Sequence, residues 1–193
     1  MTQDGYLEKW NQRHHQAESE GKVAQVLLRN MHLLPVTGVA LDLACGRGAS
    51  ALLLVEKGLE THAWDFSPVA IEKLQTRAEE RDLSVHYQVR DVVKHPPERA
   101  SFDVILVSFF LDRSLFSRLI EALKPGGKLY YQTFVQEVYL DRGPTSADWR
   151  LRKNELLQVF KELDIHYYRE DGSASSAQTE LSDLAMLVAS KRS

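Results

Sequence analysis

The chain has 193 residues, of which 44% are hydrophobic, and a formal net charge of −3 at pH 7. This length predicts a single domain over residues 1–193, and the weakly acidic balance favours a small-molecule partner over nucleic acid. The single cysteine excludes an internal disulfide, and the absence of a signal pattern or a membrane-length apolar run predicts a cytoplasmic monomer or homodimer with no membrane partner.

Residues 1–35 begin as a polar segment and then carry apolar residues at helical spacing between positions 23 and 34. Pro35 and Gly38 end this pattern. We therefore expect residues 1–35 to form a helical lead-in to a core over residues 36–193. His14 and His15 are expected to be solvated.

An apolar strand begins at Val39 and runs into a glycine turn that opens a helix. Gly46 and Gly48 lack side chains, so a ligand can approach backbone N–H groups at the positive end of that helix. This arrangement predicts a nucleotide-cofactor site. With Ala51 the turn also satisfies the relaxed dinucleotide fingerprint Gly-x-Gly-x-x-Ala, so an NAD(P)-binding oxidoreductase is an alternative function.

A second strand, over residues 59–64, ends in Asp65, at the place where an acid accepts hydrogen bonds from ribose hydroxyls. Phe66, which follows it, is expected to lie against an adenine ring. Ser67 and Pro68 fit the N-cap and first position of the next helix. An acid at the start of that helix also has a purely structural interpretation, through the helix dipole.

The remaining elements follow in the same alternation. We expect strands at 85–89, 102–110 and 129–134, with a helix over 115–123 between the last two, and a carboxy-terminal helix and antiparallel hairpin after a crossover at 136–152. The strand at 102–110 is nearly all apolar, as expected of a central parallel strand. Its carboxyl end, from Ser108 onward, should therefore face the ligands.

The run 41–48, Leu-Asp-Leu-Ala-Cys-Gly-Arg-Gly, resembles the first motif of class I S-adenosylmethionine (SAM) methyltransferases, and Leu-x-Pro-Gly-Gly at 123–127 resembles a second. Together with Trp-Asp-x-Ser-Pro at 64–68 and Leu-Arg-x-Asn-Glu-Leu-Leu at 151–157, they resemble the tellurite-resistance, TehB-like branch of small-molecule methyltransferases. This resemblance implies an α/β fold: a Rossmann-like, doubly wound seven-stranded sheet in the order 3-2-1-4-5-7-6 with the last strand antiparallel.

The resemblance implies SAM as cofactor and S-adenosyl-L-homocysteine as product. Asp42 suits the ammonium of the methionine part, whereas it would repel a pyrophosphate. A Trp-x-x-Arg segment such as Trp10 to Arg13 folds over the cofactor in relatives. Alternatively, Trp10 only packs the amino-terminal segment against the surface of the core. The acid at Asp91 would contact the adenine amino group, or alternatively cap a loop turn. The full cofactor-binding set is Trp10, Arg13, Asp42, Ala44, Cys45, Gly46, Gly48, Asp65, Phe66, Asp91, Val92 and Ser108.

The acceptor is a small molecule of open identity. No Asn/Asp-Pro-Pro-aromatic motif follows the fourth strand, and Cys45 lies in the cofactor turn, so base methylation is not expected. In-line methyl transfer needs few catalytic groups, and none is assigned. Candidate substrate residues are Arg113, Thr133, Trp149 and Arg150.

Arg142, Arg150 and Arg152 predict a lid that holds a small, anionic acceptor, or alternatively solvated charges paired with Asp141 and Asp148. The basic ending of tellurite enzymes is absent, and the loop at 172–178 is rich in serine. No metal site is predicted. A non-catalytic SAM-binding module is the remaining alternative.

Overall fold

The computed structural model describes residues 3–17, 19, 21–138, 140, 142–172, 179 and 181–192. The strands are β1 (Val39–Leu43), β2 (Glu60–Asp65), β3 (His86–Val89), β4 (Phe102–Ser108), β5 (Leu123–Phe134), β6 (Asp164–Glu170) and β7 (Leu184–Ser190). They form one seven-stranded sheet in the order β3-β2-β1-β4-β5-β7-β6. Among the described strands, β7 runs antiparallel to the other six. The predicted strand order and antiparallel last strand are confirmed.

Six α-helices are found in the described part of the chain. They are α1 (Gln3–Gln16), α2 (Gln25–Arg29), α3 (Ala49–Glu56), α4 (Pro68–Glu80), α5 (Phe116–Ala122) and α6 (Glu155–Val159). Leu27 of α2 and Leu54 of α3 pack with Tyr130 on one face of the sheet, whereas Leu119 of α5 and Leu156 of α6 pack on the other. The sheet is therefore covered on both faces, which explains the apolar character of β4 and β7.

Capping residues set the end of α3 and the start of α4, and those of α4 are the predicted ones. Gly58 follows the end of α3 with φ +89°, a left-handed conformation that suits glycine. Ser67 is the N-cap of α4 and its hydroxyl accepts from the Ala70 amide, with Pro68 in the first turn. Gly58 therefore precedes the start of β2, and Ser67 begins α4 directly after the carboxyl end of β2.

The amino-terminal lead-in contains a shorter helix than its apolar pattern predicts. Residues 23–34 form only the five-residue α2 and a 3-10 turn at Met31–Leu33. Asn30 ends α2, because its side-chain amide donates to the Val26 carbonyl at 2.9 Å while its backbone N–H donates to the Leu27 carbonyl. The longer helix of this region is α1, which has 14 residues and little apolar periodicity.

The Leu-x-Pro-Gly-Gly segment lies inside β5 rather than ahead of it. Leu123 already pairs with Phe102, and the register then shifts so that Lys128 is opposite Val104. The intervening residues form a bulge. A Cβ at Gly127 would lie 2.9 Å from the Lys124 and Phe102 carbonyl oxygens, so only glycine fits there. The motif is a bulge between two paired ends of one strand.

Residues 90–101 connect β3 to β4 without a helix. Arg90 organises this loop, with Nε donating to the His95 carbonyl at 2.7 Å and Nη2 donating to the Pro96 carbonyl at 2.8 Å. Its guanidinium lies 3.9 Å from the centre of the Trp64 ring. One face of β2 and β3 is thus covered by a loop, and β3 is exposed along its length.

Within the described ranges, no helix is both long and apolar enough to cross a lipid bilayer.

Candidate functional site

The turn between β1 and α3 is built from unusual backbone conformations. Ala44, Gly46 and Gly48 have φ values of +57°, +54° and +83°. Such a conformation costs energy in alanine, and strain of this kind is concentrated at functional sites. The Cys45 amide donates to the Trp64 carbonyl at 3.0 Å, which fixes the turn to the end of β2.

The two glycines of the turn serve different purposes. A Cβ on Gly48 would lie 2.2 Å from Leu74 Cδ1, so this glycine allows α3 to pack closely against α4. A Cβ on Gly46 would point toward the His14 ring, with Cε1 at 3.5 Å. Gly46 therefore faces the space beneath α1, where a ligand would approach, and Gly48 does not.

Asp42 is the chemically most unusual residue of the site. Its side chain is buried, and neither carboxylate oxygen has a hydrogen-bond partner among the described residues. Burial, reinforced by Asp65 and only partly opposed by the nearby Ala51 amide, raises its pKa from 3.8 to about 8. A buried carboxylate without a partner is costly, and a cation placed beside it would remove that cost. These properties fit the ammonium of a methionine moiety.

Asp65 connects the turns that follow β1 and β2. Its Oδ2 accepts from the Gly46 amide and its Oδ1 accepts from the Ser67 amide, both at 2.8 Å. Burial raises the pKa of Asp65, while these amide bonds oppose the rise. Asp65 therefore has a structural role, because it joins the two turns through these amide bonds. Each oxygen keeps a further lone pair, and the ribose contact stays a prediction.

Helix α1 covers the glycine turn and buries His14. The imidazole stacks on Trp10 at 5.9 Å, and its Nδ1 lies 3.5 Å from Arg47 Nη1. Burial, followed by the charges of Arg47, Arg13 and Lys73, lowers the pKa of His14 to about 4. The prediction of a solvated His14 is wrong, whereas the neighbouring His15 is exposed.

Polar contacts hold α1 and the residues after it in this position. Ser67 Oγ donates to Asn11 Oδ1 at 2.6 Å. Lys73 Nζ donates to the carbonyls of His15 at 3.0 Å and Ala17 at 2.8 Å, and Arg47 Nε donates to that of Ser19 at 2.6 Å. The amino-terminal segment thus lies where a cover over the turn was expected.

Trp10 and Arg13 are both on α1. Trp10 is half-buried, and the exposed Arg13 guanidinium lies 5.1 Å from its ring centre. Their contacts with a cofactor stay predictions.

The other predicted cofactor residues line the same edge of the sheet. Phe66 follows β2 and Ser108 ends β4, and both are half-buried. Asp91 caps its own loop, because Oδ1 accepts from the Val93 and Lys94 amides at 3.1 and 3.3 Å.

Val92 and Cys45 also lie near this edge. Val92 is buried in the core. Burial and the nearby carboxylates raise the pKa of the Cys45 thiol well above its usual value. Cys45 is therefore a protonated thiol, poorly suited to act as a nucleophile.

Phe109 lies in the stretch after Ser108 that the sequence placed near the ligands, but it was not among the individual site residues predicted. It directly follows β4, has φ +56°, and its side chain is 47% exposed although it is a large apolar residue. Its amide donates to the Gln132 carbonyl at 2.8 Å, and its ring packs 5.2 Å from that of Phe134 at the end of β5. A left-handed phenylalanine is rare and has no sequence signal.

Arg150 is a structural residue of the crossover. It is buried, and its guanidinium donates to the carbonyls of Pro144 at 2.7 Å, Val135 at 2.9 Å, and Arg142. Each of the three nitrogens already donates to a carbonyl, which disfavours binding of an anionic acceptor by Arg150, although that role stays a prediction. The alternative of a solvated pair with Asp148 is wrong, because Arg150 is buried.

Arg113 has a similar role. It forms two bonds of 2.7 and 2.9 Å with Glu155 and also donates to the carbonyls of Asp148 and Arg150. These bonds use four of its five N–H donors, and its role in acceptor binding stays a prediction.

The remaining predicted acceptor residues differ in exposure. Arg142 pairs with the buried Asp183 at 3.1 Å, and Arg152 is exposed. Thr133 is buried in β5, whereas Trp149 is 45% exposed. Asp141 and most of the loop at 172–178 lie outside the described residues.

Residues 40–127 match the methyltransferase domain family. Over 114 residues the chain is 26% identical to the ubiquinone biosynthesis O-methyltransferase of Coxiella burnetii, covering 56% of this chain and 46% of that protein. It is 33% identical over 99 residues to phosphoethanolamine N-methyltransferase 2 of Caenorhabditis elegans, covering 46% of this chain and 22% of that one. The chain therefore spans less than half the length of these curated relatives.

The crystal structure of TehB from Haemophilus influenzae has the same fold. It superposes with a TM-score of 0.73 at 20% identity, covering 95% of this chain and 67% of that one. Together with the match over residues 40–127, this superposition confirms the class I methyltransferase fold that the sequence motifs implied.

Proposed function

Because residues 40–127 match the methyltransferase domain family and the chain has the class I SAM methyltransferase fold, we propose that it transfers the methyl group of SAM to a small acceptor. The observation that carries the proposal is the buried, unpartnered carboxyl group of Asp42 beside the glycine turn, found among the described residues. An ammonium placed beside Asp42 would stabilise its charged form, whereas the pyrophosphate of NAD(P) would gain nothing from the neutral carboxyl and would be repelled by the charged one.

The residues around the turn suit the two charges of the methionine moiety. Asp42 would hold the ammonium, and the cationic side chains of Arg13 and Arg47 would attract the carboxylate. Gly46 provides the open backbone approach, and α1 with Trp10 and His14 would exclude water. When bound, SAM supplies a methyl group on a positively charged sulfur.

The acceptor surface is aromatic. Phe109 and Phe134 lie side by side at the carboxyl ends of β4 and β5, and Trp149 is exposed on the crossover. The guanidiniums of Arg142 and Arg150 pack against Phe134, 5.8 and 5.3 Å from its ring centre. Since each nitrogen of Arg150 already donates to a backbone carbonyl, we propose an apolar or aromatic acceptor with a nucleophilic hydroxyl or thiol, rather than an oxyanion.

The chain's role in transfer is to position the acceptor. In-line displacement requires nucleophile, methyl carbon and sulfur to be aligned, and correct placement alone lowers the barrier substantially. The strained backbone of Phe109, fixed by its bond to Gln132, holds an aromatic wall at the point where an acceptor would be oriented.

Isothermal titration with SAM, S-adenosylhomocysteine, NAD⁺ and NADP⁺ tests the cofactor assignment. We expect binding of the first two alone, weakened at least about tenfold in Asp42→Asn because a charge-assisted contact is lost. Asp164→Asn is the matched control, since Asp164 is exposed on β6 and pairs with Arg192. Binding of NAD⁺ in place of SAM would instead support the oxidoreductase alternative.

An acceptor panel tests the second half of the proposal. Aromatic hydroxyl and thiol compounds would be compared with selenite, tellurite and arsenite for the wild type, Phe109→Ala and the control Tyr87→Ala on the exposed strand β3. We expect turnover of aromatic acceptors that Phe109→Ala alone reduces. SAM binding without turnover of any acceptor would favour the non-catalytic module.

A further inference from the structure

Two histidines and a glutamate meet on the exposed edge of the sheet, far from the glycine turn. Glu60 and His62 are two residues apart on β2, so their side chains lie on the same face. His86 of β3 is the direct partner of His62 in the parallel pairing. Because His86 is distant from the other two in the sequence, a search for closely spaced ligands misses the cluster.

The distances within this cluster fit a metal ion. Glu60 Oε1 lies 3.6 Å from His62 Nε2 and 3.6 Å from His86 Nε2, and the three ligand atoms are all within 4.8 Å of one another. With metal–ligand bonds of about 2.1 Å, the ligands of a tetrahedral zinc ion are about 3.4 Å apart. A small rotation of His86, which is exposed, closes the remaining gap.

The carboxylates around the cluster also favour a cation. Glu60 lies beside both imidazoles, and Glu98, which Arg90 holds at 3.0 Å, is close to His62.

The surroundings hold the ligands while leaving the site accessible. The edge of Phe102 lies 5.8 Å from the His62 ring and restricts its rotation, whereas the His86 ring, which stacks on His62 at 4.8 Å, is exposed and can rotate. The connection between β3 and β4 has no helix that would cover this face. Solvent therefore reaches Glu60 and His86, and an ion can enter.

We propose that Glu60, His62 and His86 bind a divalent transition-metal ion, with Zn²⁺ as the ion that two imidazoles and a carboxylate suit best. Glu60 and Asp65 are at opposite ends of β2, which places the ion roughly 17 Å from the glycine turn. The ion joins the edge strand β3 to β2 and takes no part in methyl transfer. This proposal is independent of the proposed function.

The test is titration of the untagged, full chain with Zn²⁺, with Mg²⁺ as the comparison ion, for the wild type, His86→Ala and Glu60→Gln. The matched control is His166→Ala, because His166 is an exposed histidine on β6, the opposite edge strand. Circular dichroism checks that each variant folds, and thermal unfolding with and without Zn²⁺ gives a second readout.

We expect one Zn²⁺ per chain, no comparable Mg²⁺ binding, and a Zn²⁺-dependent rise in Tm. Both site variants should bind Zn²⁺ at least about tenfold more weakly, since even the loss of a group that only orients a ligand costs that much. His166→Ala should bind as the wild type does. A wild type that binds no Zn²⁺, or folded His86→Ala and Glu60→Gln that both bind it unchanged, would overturn the proposal.

Discussion

Replacing Asp42 by asparagine should remove a steep pH dependence from the stability of the cofactor-free protein. The pKa of this carboxyl rises from 3.8 to about 8 on folding. Between pH 5 and 7 the unfolded chain has released this proton and the folded chain keeps it, so the free energy of unfolding falls as pH rises. The slope is about 1.4 kcal/mol per pH unit, or about 3 kcal/mol over this interval.

The amide of the Asp42→Asn variant does not titrate. The free energy of unfolding of the variant, relative to that of the wild type, should therefore rise by about 3 kcal/mol between pH 5 and 7. His14 has the opposite effect on stability below pH 6.5, because folding lowers its pKa to about 4. As the pH falls, the ring becomes protonated in the unfolded chain first, so the free energy of unfolding falls. That contribution is common to both proteins and cancels in their difference.

Urea unfolding at pH 5, 6, 7 and 8 without cofactor measures the difference. The two stability curves should diverge progressively up to pH 8. Parallel curves would refute the reasoning, because they would mean that the carboxyl of Asp42 is already charged, or already has a partner, in the folded protein. Asp164→Asn, which changes an exposed carboxyl on β6, is the control for removing a negative charge elsewhere in the chain.

Four further predictions test other parts of the molecule. His14→Gln should flatten the acid limb of the stability curve between pH 4 and 6.5 in urea unfolding, and an unchanged limb would place His14 in water. Arg150→Ala should lower the free energy of unfolding by about 3 kcal/mol or more, measured from the denaturant midpoint. Arg150→Lys should not restore the stability, because the three carbonyls need the fork of a guanidinium. Full stability of either variant would contradict this. Phe109→Gly should relieve about 1 kcal/mol of backbone strain while raising the acceptor KM, and an unchanged KM in steady-state kinetics would remove the ring from the acceptor surface. Gly48→Ala should lower Tm, and the added Leu74→Ala should recover part of the loss in a double-mutant cycle; purely additive effects would argue against the contact.

The sequence was sufficient for features that depend on local patterns. The glycine turn, the Ser67 cap and the alternation of strands and helices each have a signal within a few residues, and the family motifs supplied the strand order. The bulge at 123–128 was mistaken for a turn because its glycines are typical of both.

Features that depend on distant contacts were not predictable. His14 is buried only because α1 folds back over a turn that comes much later in the chain, and nothing in the polar pattern of α1 indicates this. Arg150 looked like a ligand-binding arginine because its acceptors are backbone carbonyls, which any sequence can supply. The conformation of Phe109 likewise follows from the ends of two strands meeting.

The bonds that hold α1 in place bear on the kinetics of ligand entry. Lys73 and Arg47 bind carbonyl oxygens at and beyond the carboxyl-terminal end of α1, and Ser67 binds Asn11 within it. A molecule entering beneath α1 has to wait until these bonds break, so its association is governed by an opening equilibrium. The observed association rate should then level off at high ligand concentration instead of rising linearly, and Lys73→Met should raise that plateau.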